Sequence, residues 1–300
     1  MVKKIVKPDI IALYSPKNAL PVIFDSPHSG TIYPEDFKYD CDLHALRRIE
    51  DRYVDELFAS APDYGAKLLL ALFPRSYIDV NRATDDIDDT LFEGAWPKDV
   101  HGTINPSSRS NSGIGLIGRL IKPGFPIYAR KLTPDEIMNR VKNYYEPYHD
   151  TLCTILDKAY YNHGQFWHIN CHSMPTSAAY PKQNIAMIGG SPQPSDIVIG
   201  DRDGQSCGRD FLYELRDFWR SKGYRVTIND PFKGVELISR YAQPTRGKNS
   251  VQIEINRSLY MNEKTGDKSR NFDVIKNDCT EMIRFCTAFA QSKLTSIAAD

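Results

Sequence analysis

The sequence predicts an α/β fold, a single three-layer domain in which a mixed β-sheet carries helices on both faces. Three observations predict it. Short runs of β-branched and aromatic residues alternate along the chain with longer stretches whose apolar residues recur at helical spacing. The run over 66–73 is nearly all apolar, as in a strand covered on both faces. Several strand-like runs end in polar turns that carry a histidine or an acid, the kind of residue that lines the crevice at the carboxyl ends of an open sheet.

Composition narrows the possibilities. The 300 residues are 41% hydrophobic and 25% charged, and 38 basic residues balance 38 acidic ones. That balance argues against a nucleic-acid or anionic-membrane partner. No apolar run approaches the ~20 residues of a membrane span. Lys3, Lys4 and Lys7 are not followed by the apolar core of a signal peptide. None of the six cysteines forms a C-x-x-C pair, which favours reduced thiols in a cytoplasmic protein. Without a linker or an internal repeat, residues 1–300 read as one domain with its core over about 20–290.

The elements follow in order. After a polar lead, 21–25 is the first core strand. Leu43, Leu46, Ile49, Tyr53, Val54, Leu57 and Phe58 predict a helix near 41–61, closed by Pro62 and Gly65. The strand over 66–73 runs on into Pro74 to Arg82. Residues 83–112 lose periodicity, and a loop of that length is usually functional or mobile. The glycines of 113–124 fit a dinucleotide fingerprint poorly. Thr133, Pro134 and Glu136 form a strong helix start, and the helix should run to about residue 161, bend near Pro147 and stop at Gly164. The central strand, 165–170, then leads to Cys171, His172 and Met174-Pro175, where a turn is expected. A polar loop, a strand at 196–200, a helix over 207–222, a strand at 224–228, a turn at 230–234, a strand at 250–255 and a helix over 271–292 complete the chain.

The chemistry gathers at the strand ends. His28 and His172 each sit where a strand runs out, suited either to a metal or to a hydrogen bond across a turn. His168 alternates with His172 and could be a ligand or a packed partner. Glu50 and Asp51 lie beside an apolar helical stripe, as a metal ligand or as solvated helix acids. Alternation puts Gln252 and Glu254 on the face opposite Val251, Ile253 and Ile255. A buried Glu254 could take a proton from water activated by a metal and pass it to a leaving amine. Arg75, Asn81, Arg82 and Arg257 could grip an anionic substrate through paired hydrogen bonds or form salt bridges with acids such as Asp79.

Six motifs, in order, carry a resemblance over about 20–290: the run from Pro21 to Gly30 with Ser26-Pro27-His28, the stretch from Glu50 to Phe58, Arg75 to Arg82, His172 to Pro175, Gly200 to Cys207, and Gln252 to Glu263. Together they resemble the N-formylglutamate amidohydrolase family, which is similar in fold to zinc carboxypeptidases and aspartoacylase. The resemblance implies one catalytic zinc on His28, Asp51 and His172, with Glu254 as general base. It implies that Arg75, Asn81 and Arg82 hold the substrate carboxylate and polarise the carbonyl. The substrate would be a small acidic N-acyl amino acid, N-formyl-L-glutamate, in histidine degradation. A related N-acyl deacylase, a carboxypeptidase-like hydrolase and an acidic-ligand-binding module on the same scaffold are the alternatives. Thr31 stands where carboxypeptidases carry their ligand acid, and Arg52-Tyr53 where the family often has Trp-His.

Overall fold

The computed structural model describes residues 2–182, 187–188 and 191–297. Strands β1 (Val2–Lys7), β2 (Ile11–Ser15) and β3 (Val22–Ser26) open the chain. Two single-turn helices, α1 (Leu43–Leu46) and α2 (Val54–Leu57), lead to β4 (Lys67–Ala71). Two more, α3 (Lys98–His101) and α4 (Ser108–Asn111), precede a small hairpin of β5 (Leu120–Lys122) and β6 (Phe125–Pro126). Helices α5 (Pro134–Arg140) and α6 (Glu146–His163) are followed by β7 (Phe166–Met174). Then come a second small hairpin, β8 (Met187–Ile188) and β9 (Ser191–Pro192), and β10 (Ile197–Gly200). Helix α7 (Arg209–Ser221), β11 (Val226–Ile228), α8 (Glu236–Tyr241), β12 (Lys248–Asn256) and α9 (Phe272–Ile297) complete the order.

One eight-stranded sheet runs β1-β2-β4-β3-β7-β12-β10-β11. Its four central strands, β4, β3, β7 and β12, are parallel, and the flanking pairs join antiparallel through β2 and β10. The pleat sends alternate side chains to two cores. Val22 and Phe24 face Val54, Leu57, Trp219, Met282 and Phe289 of α2, α7 and α9. Ile23 faces Ile137, Tyr148, Leu152 and Leu156 of α5 and α6. Helices therefore cover both faces of a mixed sheet.

Five expectations need correction. The strand over 66–73 does not run on to Arg82, because β4 ends at Ala71 and 75–82 is a series of turns. The polar lead holds a hairpin, because Ile11, Ala12 and Leu13 are buried where β2 pairs with β4. The helix expected over 41–61 is broken in the middle. After α1 and a 3-10 turn at Arg47–Ile49, Glu50 is extended, and Tyr53 takes a left-handed backbone at φ 68° before α2. One continuous helix would aim Glu50 and Asp51 to different sides, whereas the break buries both carboxylates. The central strand does not stop at residue 170. It runs to Met174 because β12 is equally long and pairs with it at nine positions. Finally, α8 was not expected, being a single short helix inside a polar connection. Part of the polar loop expected after β7 lies outside the described residues.

The helix over 134–163 contains a π-turn at Val141–Tyr145, just before Pro147. Pro147 has no N–H to offer the carbonyl of Asn143, which instead accepts a hydrogen bond from Lys7 Nζ at 2.8 Å. The π-turn also places Tyr145, whose hydroxyl donates to the Arg82 carbonyl at 2.9 Å. His149 Nε2 donates to the Val80 carbonyl at 2.8 Å. The segment 75–82 is thus pinned from the helical layer.

Gly30 fixes the loop that carries His28. A Cβ there would lie 2.3 Å from the Leu72 carbonyl carbon and 2.4 Å from the Phe73 oxygen. Both obstacles are backbone and cannot swing aside, so overpacking should cost about 3 kcal/mol. Gly30→Ala is therefore expected to lower Tm by roughly 5 °C or more in calorimetry. A melting curve superimposable on that of the parent protein would contradict this packing.

Candidate metal centre

The site lies at the carboxyl ends of β3, β7 and β12, in a cleft of about 530 Å³. Register brings its parts together. Asp25 of β3 pairs with Asn170 of β7, and Glu254 of β12 pairs with His172. His28 follows β3 by two residues. Asp51 arrives from the broken helix, its N–H donating to the His28 carbonyl at 3.0 Å.

His28, Asp51 and His172 are all buried, and each offers one ligand atom within 4.8 Å of the other two. Asp51 Oδ2 lies 3.0 Å from His172 Nδ1 and 3.3 Å from His28 Nδ1. The far nitrogens are both engaged. His28 Nε2 donates to Asp79 Oδ1 at 2.7 Å, and His172 Nε2 donates to Asn170 Oδ1 at 2.5 Å. A proton fixed on Nε2 leaves the Nδ1 lone pair directed at the shared space, as in histidines that ligate metals. His28 Nδ1 is buried and makes no hydrogen bond among the described residues. Two imidazoles and one carboxylate with an unsatisfied nitrogen fit a divalent cation that keeps a further position open.

The surrounding charges hold this arrangement. Burial alone would raise the Asp51 carboxyl, but the His172 and His28 rings and the Arg75 guanidinium outweigh it and hold it well below the usual carboxylate range. Arg257 adds a hydrogen bond from Nη2 to Asp51 Oδ1 at 2.9 Å. Asp79 behaves similarly: burial pushes it up, and His28, Arg75 and Arg82 bring it well down. It accepts from Arg75 Nη2 at 2.7 Å and from the Asn81 N–H at 2.8 Å.

Glu254 is the exception among these acids. It is 7% exposed and lies between two strands of the sheet, so it is not a solvated edge residue. Burial drives its carboxyl up to about 7, against the opposing pull of His172. Gln252 Nε2 donates to Glu254 Oε1 at 2.8 Å and fixes its direction. A carboxyl poised near neutrality beside the histidine–aspartate cluster can both take and return a proton.

The other expected residues separate by how they are engaged. Arg75 bridges Asp79 and, at 3.6 Å, Asp51, and its side chain stays 22% exposed to the cleft. Among the described residues the Arg82 side chain hydrogen-bonds carbonyls only, those of Asn81 at 2.9 Å and Ile114 at 3.4 Å, and its burial lowers the guanidinium pKa. Asn81 Oδ1 accepts the Leu237 N–H of α8 at 2.9 Å, and its amide points at Gln252 Oε1 at 3.4 Å. Arg257 spends its nitrogens on Asp51, Ser173 Oγ and the Arg48 carbonyl. It braces the Asp51 carboxylate, a duty different from the substrate grip expected of it. His168 packs under the site, hydrogen-bonded to Asp25 and Ser250. Glu50 pairs with Tyr33 and Arg47, which leaves Asp51 as the acid beside the histidines.

Sequence reasoning missed two supports. Asp79 had been weighed only as a salt-bridge partner, although its place two residues before Asn81 on a buried segment was a usable signal. Asn170 gave no such signal, because its role depends on strand pairing with Asp25, whose Oδ1 accepts its amide at 2.9 Å.

A protein-family model for N-formylglutamate amidohydrolase matches residues 20–261. The chain is 26% identical over 249 residues to N-formylglutamate deformylase of Pseudomonas putida, covering 81% of this chain and 83% of that protein. The structure of N-formylglutamate amidohydrolase from Ralstonia eutropha JMP134 superposes with a TM-score of 0.87 at 40% identity, over 95% of this chain and 99% of that one. The Agrobacterium tumefaciens gene product Atu2144, at 16% identity and a TM-score of 0.63 over 95% and 96% of the two chains, shares the fold. The chain belongs to the N-formylglutamate amidohydrolase family, hydrolases that act on an amide bond.

Proposed function

We propose that this protein is a zinc-dependent amidohydrolase that cleaves N-formyl-L-glutamate to formate and L-glutamate, the step that releases glutamate in histidine degradation. The observation that carries the reading is Glu254, a buried carboxyl near neutrality directly across the strand pair from His172. The names of the relatives support the substrate.

His28, Asp51 and His172 would hold the ion, which when bound supplies Lewis acidity and brings the pKa of a water ligand from ~16 towards ~7. Glu254 accepts a proton from the attacking water. Arg75, exposed to the cleft beside Asp79, donates to the carbonyl oxygen as negative charge develops there. Glu254 then returns the proton to the departing nitrogen. One water is consumed, the C–N bond breaks, and formate and an amine leave. Asn81 and Arg82 hold the substrate carboxylate. Arg82 suits this because it is a buried cation whose hydrogen-bond partners among the described residues are carbonyls.

Glu254→Gln keeps the shape of the site and removes the proton acceptor. Formate release should fall by about 10²–10⁴-fold while elemental analysis still finds one equivalent of metal, and unchanged turnover would sink the assignment. Exhaustive chelation should abolish formate release, and added Zn²⁺ should restore it. Failure of any divalent ion to restore activity would remove the metal from the mechanism.

The Glu254 pKa also makes a prediction for the metal-free protein. A carboxyl raised on folding favours the protonated native state. Its stabilising contribution is complete below the unfolded pKa of about 4.3 and is lost as pH rises through about 7. Glu254→Gln should therefore match the parent protein near pH 4.5 and exceed it by on the order of 2 kcal/mol at pH 8. Chemical denaturation at the two pH values measures this, and a pH-independent difference would contradict the shift.

A further inference from the structure

The cations lining the cleft fall into two groups. Arg75, Arg257 and Lys233 each meet a carboxylate: Asp79 and Asp51, Asp51, and Asp203 respectively. Arg48, Arg82 and Arg109 make no ion pair among the described residues. Of these, Arg82 and Arg109 line both the cleft and a side cavity next to it, and the charge of Arg109 acts on Arg82.

The acids around this pair make their hydrogen bonds and ion pairs elsewhere. Asp79 is taken by His28 and Arg75. Asp86 accepts the Ser107 N–H at 2.7 Å and the Ser107 hydroxyl at 3.0 Å. Glu236 pairs with Arg240 at 2.7 Å. Asp79 and Asp86 act on Arg82 from a distance, but neither bridges the two guanidiniums in an ion pair, and an anion of charge two placed between them relieves their repulsion.

Arg109 is held at this position. It sits on α4, whose first turn is capped by the Ser107 hydroxyl that also anchors to Asp86. The helix packs on Gly115, where a Cβ would come within 2.5 Å of Ser110 Oγ and 2.7 Å of the Asp86 carbonyl oxygen. The loop between β4 and α5 is thus fastened where it presents an arginine.

We propose that Arg109 binds the side-chain carboxylate of the substrate while Arg82 binds its α-carboxylate. This inference rests on the amidohydrolase reading above. Both carboxylates of an N-acyl glutamate belong to the leaving amine, so their receptors must stand on the same side of the scissile bond. Arg82 and Arg109 are neighbours and satisfy that requirement. Arg48 also lines the cleft without a carboxylate partner among the described residues, but it shares a separate cavity of about 370 Å³ with Arg257 and is absent from the side cavity that Arg82 and Arg109 share. Arg202 lines the side cavity and not the cleft. Arg109 is therefore a specificity residue, which decides between acidic and neutral side chains.

The test compares N-formyl-L-glutamate with N-formyl-L-glutamine, its neutral isostere, on the zinc-loaded protein. Wild type should prefer the glutamate. Arg109→Gln should lower kcat/KM for N-formyl-L-glutamate by about 10- to 100-fold, the effect of one charge-assisted hydrogen bond, mainly through KM. For N-formyl-L-glutamine it should change kcat/KM by less than about 3-fold, and Arg109→Lys should recover part of the preference. Retained preference in Arg109→Gln, or its loss in Arg48→Gln instead, would overturn the assignment. Wild type that hydrolyses neither compound would refute the amidohydrolase reading itself, a separate outcome from the failure of Arg109.

Discussion

Everything at this site depends on keeping one carboxylate, that of Asp51, charged and almost completely out of water. An isolated buried carboxylate would take up a proton rather than bear the cost of desolvation. Asp51 avoids this because two imidazoles and two guanidiniums converge on its oxygens. The chain gives up a regular helix to bring it there. Tyr53 accepts a left-handed backbone, and the hydrogen bonds of a continuous helix over 41–61 are forgone. Conformational strain of this kind persists where the surroundings over-determine it.

Around that carboxylate the polar groups form a connected set. Asp79 joins His28 to Arg75, Asn170 joins His172 to Asp25, and Asp25 takes hydrogen bonds from His168 and Tyr148 as well. Nearly every donor has an acceptor, as a network in a low-dielectric interior requires. Glu254 stands apart, because its near neighbour is an amide and among the described residues no cation forms an ion pair with it. Burial then dominates its chemistry. The same fold thus keeps Asp51 and Asp79 ionised and holds Glu254 near its midpoint, a separation of acids by environment.

Much of this was legible in the sequence, and the reasons are local. Alternation over 250–255 correctly separated Glu254 from Val251 and Ile253, because a strand has a period of two whatever surrounds it. The Thr133, Pro134 and Glu136 signature marked a capping box that the structure contains. The illegible parts are those set by partners distant in sequence. The length of β7 depends on β12, and the break at Glu50 depends on what Asp51 meets across the molecule. The helical periodicity of 43–58 is real, but it records burial of Leu46, Val54 and Leu57 by two short turns as readily as by one long helix. Likewise, Arg257 reads as a free cation until Asp51 is known to lie 2.9 Å away.

The parallel arrangement of β3, β7 and β12 has a consequence for how the protein is built. The residues at the site come from positions 28, 51, 79, 172 and 254, and adjacent parallel strands can be joined only by long crossovers. No early-forming hairpin or single helix contains two of the three clustered side chains in their final relation. The cluster comes into being when β7 docks beside β3, after most of the loop-closure entropy has been lost. An ion that prefers the finished cluster would act as a late latch on the sheet, and its loading would report that the polypeptide has completed its topology.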